Sequence, residues 1–242
     1  RLGDGGYKDA NGNIVGSNGT DSDAVGINGS SGGGNMIFDH CSISWGVDEN
    51  VGMSGSRTSP LENITIQNSI ISEGLHSTHH AKGSHSKGIL VYYNVHNVTF
   101  YKNLLAHNVE RNIRCNGGNS MEMINNVVYN YGYATDVSTG TIINVQGNYY
   151  KEGLNKASAS NPKLINYVVD NNYSAADTKP YVFDNYFDTS TGKSSTKIVN
   201  DFFTNRMLVS PAINSGIQPV DEAVMDQVVA DFNALKAAYK AV

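Results

Sequence analysis

The chain has 242 residues, a formal net charge of −5, a low share of charged side chains, and abundant Gly and Tyr. That length suits one all-β domain with a substantial core, and the composition points to many short strands joined by turns rather than to a helical bundle. The acidic balance excludes a general nucleic-acid binder, and no apolar run is long enough to span a bilayer.

Charge is unevenly placed along the chain. Residues 1 to 50 hold Asp4, Asp9, Asp21, Asp23, Asp39, Asp48 and Glu49 against Arg1 and Lys8, whereas residues 76 to 115 hold Lys82, Lys87, Lys102, Arg111 and Arg114 against Glu110. The start, RLGDGGYKD, carries no signal-peptide pattern. The first clear repeat begins only at Met36, so a cap or further N-terminal coils are expected ahead of residue 1.

From Met36 onward six segments overlay without gaps: MIFDHCSIS from Met36, ITIQNSIIS from Ile64, VTFYKNLLA from Val98, MEMINNVVY from Met121, INVQGNYYK from Ile143 and YVVDNNYSA from Tyr167. In each, the first and third residues are apolar or aromatic, the alternation of a half-buried strand. Their sixth positions read Cys41, Ser69, Asn103, Asn126, Asn148 and Asn172. Small or amide side chains stacked at one turn position suit a parallel β-helix, in which an internal Asn ladder satisfies turn backbone groups coil after coil.

The last four repeats start 22 to 24 residues apart, a solenoid period. The longer first intervals predict loops over roughly 48 to 60 and 73 to 95. An antiparallel sandwich would also alternate, but hairpin dipeptides are scarce between the repeats and the shared sixth position would then be coincidence.

At the C-terminus Val224, Val228, Phe232, Leu235 and Tyr239 fall at helical spacing, with Asp221 and Glu222 in the first turn. The expected architecture is thus a single all-β domain over 1–242, a right-handed parallel β-helix with an amphipathic helix over 219–241 packed on the barrel. Cys41 and Cys115 are too few for a disulfide framework. Two buried thiols are expected, with their pairing left open.

DAVGI (23–27), FDHCSISWGVDENV (38–51), ISEGLHSTHHAKGSHSKG (71–88) and LLAHNVERNIR (104–114) together resemble, in order and spacing, the pectate lyases of the first polysaccharide lyase family. The resemblance covers about residues 20 to 175. It implies β-elimination on an acidic polysaccharide, de-esterified homogalacturonan, assisted by calcium, in a monomeric enzyme that works secreted, periplasmic or at the cell surface.

By the same resemblance Asp21, Asp23 and Glu49 are calcium ligands. Asp48 is a further candidate, although on a regular strand it points away from Glu49. The resemblance makes Arg111 the base that removes the C5 proton and Arg114 and Lys82 the residues that bind substrate carboxylates; Lys87 is a second candidate for substrate contact. Trp45 stands where the best-known members have another carboxylate, so calcium is expected to bind firmly only with substrate. Ile113 stands where the family usually has Pro. Without the resemblance, Asp21 and Asp23 read as a solvated loop, Asp48 and Glu49 as a surface turn, and the arginines as an exposed pair.

Asp39 and His40 are expected in a side-chain network beside the calcium site. His76, His79, His80 and His85 match no standard zinc spacing and are expected to line a sugar groove or to fill the turn around Lys82 rather than to hold zinc or copper. Tyr129, Tyr131, Tyr133, Tyr149 and Tyr150 suit either sugar contacts or stacking between coils. Two rival readings stay open. A polygalacturonase-type hydrolase needs paired carboxylates, and a non-catalytic pectin-binding β-helix needs no base.

Overall fold

The computed structural model describes residues 7–15, 22–29, 31–78, 80, 82–154, 165–188, 230 and 234. Three six-stranded parallel sheets dominate it, and every third strand in chain order returns to the same sheet. Six coils therefore stack into a parallel β-helix, each contributing one strand to each sheet. A separate antiparallel pair joins Tyr7–Lys8 to Ile14–Val15.

Sheet 1 contains Gly33–Asp39, Leu61–Gln67, Val95–Tyr101, Ser120–Ile124, Ile142–Gln146 and Lys179–Phe183. Its alternation sets the core: Ile64, Ile66, Val98, Phe100, Met121, Met123, Ile143 and Val145 point inward and are buried. Thr65, Thr99, Glu122 and Asn144 occupy the places between them. Sheet 2 holds the short strands Ser42–Ser44, Ile70–Ser72, Leu104–Ala106, Val127–Tyr129, Tyr149–Lys151 and Tyr186–Asp188. Each inward side chain removed from water contributes about 1.5–3 kcal/mol, and neighbours from all three sheets share one cluster.

The Asn ladder lies at the corner between sheets 1 and 2. Each rung's backbone N–H is taken by the side-chain oxygen of the next coil: Cys41 by Ser69, Ser69 by Asn103, Asn103 by Asn126, Asn126 by Asn148 and Asn148 by Asn185. The amide groups also donate to buried carbonyls, Asn126 to Phe100 and Asn148 to Met123. Turn backbone that could find no water inside the stack is satisfied in this way.

Five of the six repeats stand in register, Met36 with Ile64, Val98, Met121 and Ile143. The sixth does not begin at Tyr167. Pro180 pairs with Ile143, Asn185 completes the ladder, and Tyr167 pairs with Val137 in sheet 3. Asn172 instead caps an exposed turn by bonding Asp170.

The expected loops are also shorter than their sequence suggested. Glu49–Ser54 and Lys87–Tyr93 are strands of sheet 3, which leaves 55–60 as a turn and 73–86 as the long connection. The helix expected over 219–241 lies outside the described residues apart from Ala230 and Ala234. Among the described residues no helix is long and apolar enough to cross a membrane.

Both cysteines are free. Cys115 is buried, and burial pushes its thiol well above the ordinary value. Cys41 is only half-buried, contrary to expectation, because it sits on the outermost described coil with a neighbour on one side. Tyr131 and Tyr150 belong to the core, and Tyr150 stacks on Phe187. Tyr149 stacks on Tyr186.

Candidate functional site

Sheet 3 comprises Val25–Asn28, Glu49–Ser54, Lys87–Tyr93, Arg114–Cys115, Thr135–Ser138 and Ile165–Val168. Its first positions and the corner leading into it gather the acidic and basic zones of the sequence. Glu49 stands beside Lys87 in register, Lys87 bridges to Glu110, and Arg114 lies between Leu90 and Asp136.

Asp23, Asp48 and Glu49 each offer a carboxylate oxygen, all within 4.8 Å of one another. Asp23 Oδ1 accepts the Glu49 N–H at 3.0 Å, which ties the first coil to the second. Gly52 makes room for this: a Cβ there would lie 2.0 Å from Asp23 Oδ2. Asp48 does not diverge from Glu49 as strand alternation required. It precedes the strand on a bend, so period-2 geometry does not apply to it. Asp21 lies outside the described residues.

Arg111 forms an ion pair with Glu49. Its Nε is buried with no hydrogen-bond partner among the described residues. Burial pushes its guanidinium below the usual arginine range, Arg114 adds to that shift, and Asp48, Asp136 and Asp23 oppose it. Arg111 itself takes φ +57° and Ile113 φ +94°, so the backbone kinks on both sides of the intervening Asn112.

Arg114 is half-buried, and its Nε donates to Asn116 Oδ1 at 3.1 Å. Lys87 pairs with Glu110 at 3.3 Å. Lys82 is exposed on the 73–86 connection, its backbone N–H donating to His80 Nδ1 at 3.0 Å. Glu49, Arg111, Arg114 and Lys87 are thus close along the stacked coils, and Lys82 sits on the loop beside them.

His80 and His85 fill that loop. Their rings stack at 3.5 Å, His85 Nε2 lies 3.1 Å from Asp48 Oδ1 and His80 Nε2 3.7 Å from Asp48 Oδ2. His76 is exposed, and His79 lies outside the described residues. The Asp39–His40 network exists, with Asn68 and Gln67 donating to Asp39. It lies at the corner between sheets 1 and 2, not beside Asp48 and Glu49, which lead into sheet 3.

No family model matches the chain. A protein named probable pectate lyase C from Aspergillus oryzae is 39% identical over 160 residues, 62% of this chain and 34% of that protein. Its namesake in Neosartorya fischeri is 38% identical over the same shares. That of Aspergillus flavus is 41% identical over 136 residues, 54% of this chain and 28% of that protein. The similarity supports assignment to the pectate lyases. The chain spans about a third of the length of the curated relatives it matches.

The donor set fits a hard cation, since carboxylate oxygens converge and Asp48 and Glu49 are both buried. Asp136 escaped the sequence reading. It is buried next to Arg114, burial pushes its carboxyl up, and hydrogen bonding from Asn166 together with the charge of Arg114 pulls it back. Its only signal in sequence was its place in TDVS, one coil beyond Arg114, which requires the register to be known.

Also missed was a buried amide chain under the site. Asn50 donates to Asn108 Oδ1, Asn108 to Asn112 Oδ1, and Asn112 to the Tyr133 carbonyl. It fixes the corners that carry Glu49 and Arg111, and its members sit in DEN and HNVERN.

Proposed function

We propose that this chain is the β-helical part of a secreted pectate lyase that cleaves de-esterified homogalacturonan by calcium-assisted β-elimination, releasing 4,5-unsaturated oligogalacturonides. The observation that carries the reading is the placement of Arg111 against Glu49, in an acidic cluster suited to a divalent cation, where burial and Arg114 press its guanidinium below the usual arginine range.

Asp23, Asp48 and Glu49 would hold a calcium ion, which would supply the positive charge that neutralises the C6 carboxylate and acidifies the C5 proton. Arg111 in its neutral form accepts that proton. The C5–H electrons form the C4=C5 double bond, the C4–O4 bond breaks, and O4 leaves with a proton from water. Arg114, beside Arg111, binds a substrate carboxylate and holds down the proton affinity of its neighbour through like charge. Lys87, kept in place by Glu110, and Lys82 take further carboxylates.

One observation favours a hydrolase instead, the convergence of Asp48 and Glu49. Against it, their carboxylate oxygens lie within 4.8 Å of one another, closer than the roughly 5–9.5 Å at which a glycosidase holds its carboxyl pair on either side of the scissile bond.

The test is ultraviolet absorbance of unsaturated uronate during digestion of polygalacturonate, with calcium and then with chelator. A calcium-dependent rise is expected. It should be lowered at least about 10²-fold by Arg111→Ala and should steepen with pH, as the neutral guanidinium becomes more populated. New reducing ends without the chromophore would establish hydrolysis, and saturable polymer binding without turnover would establish a binder.

A further inference from the structure

Beside the proposed catalytic cluster lies an open groove of about 470 Å³, lined among others by Trp45, Glu73, His76, Ser86, His107 and Val109. Trp45 is 54% exposed, so its indole offers aromatic surface to the groove. It is nonetheless held still. Its indole N–H donates to Glu73 Oε2 at 3.2 Å and its backbone N–H to the Glu73 carbonyl at 3.3 Å.

The corner repeats coil after coil, His107 lying beyond Glu73 and receiving Asn130 Nδ2 at 2.7 Å. His107 is also packed edge-on against Tyr129. The result is a fixed aromatic face with hydrogen-bonding groups below it, which is the chemistry that recognises a sugar ring: C–H groups on the indole, hydroxyls on the acceptors.

The electrostatics restrict which sugar. Glu73 is the one carboxylate on the described lining, and no lysine or arginine lines the groove. Burial lowers the proton affinity of His107, against the opposing charge of Glu73. A galacturonate carboxylate placed here meets Glu73 with no lysine or arginine on the described lining, in contrast to the surroundings of Arg111 and Arg114. The groove adjoins the site residues along the chain: Ser86 directly precedes Lys87 and Val109 stands two residues before Arg111.

We propose that this groove is a subsite for an uncharged sugar ring, one whose carboxyl is esterified or absent, seated beside the galacturonate that is cleaved; the last clause rests on the pectate lyase reading. The substrate class is then a mixed polymer, with a free acid where elimination occurs and an uncharged unit next to it. Trp45 and Glu73 determine that specificity and take no part in proton transfer.

Trp45 is the single tryptophan of the chain, so intrinsic fluorescence reports on this groove directly. The protein is titrated in chelator, which prevents turnover, with fully methyl-esterified trigalacturonate, with galactotriose and with trigalacturonate. Saturable emission changes are expected with an uncharged ligand at concentrations at least about tenfold below those needed for trigalacturonate. The better of the first two ligands says whether an ester or a neutral sugar is the natural occupant. In Glu73→Gln the charged trisaccharide should approach the uncharged ones.

No saturable change with either uncharged ligand, or tightest binding of trigalacturonate to the parent protein, overturns the proposal. Unaltered discrimination in Glu73→Gln does the same. The pectate lyase reading fails separately: if no lyase chromophore develops while the fluorescence pattern holds, the sugar subsite stands without it.

Discussion

Replacing Asn126 by Ala tests the element on which every coil of the solenoid relies. Asn126 is fully buried, and its side chain makes four hydrogen bonds: Oδ1 accepts from Asn103 N at 2.9 Å and Asn103 Nδ2 at 3.1 Å, and Nδ2 donates to Phe100 O at 2.9 Å and Asn148 Oδ1 at 3.0 Å. A methyl group ends all four and strands the Asn103 N–H and the Phe100 carbonyl away from water. At about 0.5–1.5 kcal/mol net per bond, with the larger cost for a buried group left unpaired, the loss is about 3–5 kcal/mol. That is a large part of the stability of an ordinary domain. Urea denaturation followed by far-ultraviolet circular dichroism measures it through the midpoint and slope. Asn172→Ala, on an exposed turn, should shift stability by less than about 0.5 kcal/mol, and Asn185→Ala, at the half-buried end of the ladder, should fall between the two. A cost below about 1 kcal/mol for Asn126→Ala, or equal costs at Asn172 and Asn185, refutes the ladder as described.

Gly52→Ala should leave the fold intact, because the three atoms nearest its Cβ belong to the Asp23 side chain, which can turn away. It should nevertheless weaken calcium binding in the presence of substrate by about tenfold or more, read by isothermal titration; unchanged affinity would remove Asp23 from the cation site. Asp136→Asn should be stabilising at neutral pH. The folded-state carboxyl is raised by burial, so the parent loses stability as pH climbs from the unfolded carboxyl value of about 4 towards the folded one, and the variant does not. Its advantage therefore grows across that window in denaturation curves, and an advantage that shrinks with rising pH contradicts the assignment.

Much of the barrel is legible in the sequence because stacking repeats it. Alternation and a small or amide residue at one corner recur from Met36 to Ile143, and each recurrence is the same physical demand met again. The sixth repeat was misread because 167–175 satisfies both patterns by chance, while the true one begins at Pro180, a residue that argues against a strand. Proline is tolerated there because Lys179–Phe183 is the terminal strand of its sheet among the described residues, paired on one side only.

The strands Glu49–Ser54 and Lys87–Tyr93 were hidden for a different reason. Their first residues carry charge for the cleft, so the apolar alternation starts late, at Val51 and Ile89. Local pattern reports the core face. The convergence of Asp48 on Glu49, the partner of Arg114 at Asp136 and the groove at Glu73 depend on which coil lies against which, and that information is long-range.

Stacking also gives the cleft a unit of length. Each coil advances the surface by about 4.8 Å, the spacing between paired strands. Asp23 belongs to the first described coil, Glu49 to the second, Lys87 to the third, Arg114 to the fourth and Asp136 to the fifth. From Asp23 to Arg114 is three steps, about 14 Å. A bound polymer is thereby measured out like cloth against a rule, successive coils meeting successive stretches of it.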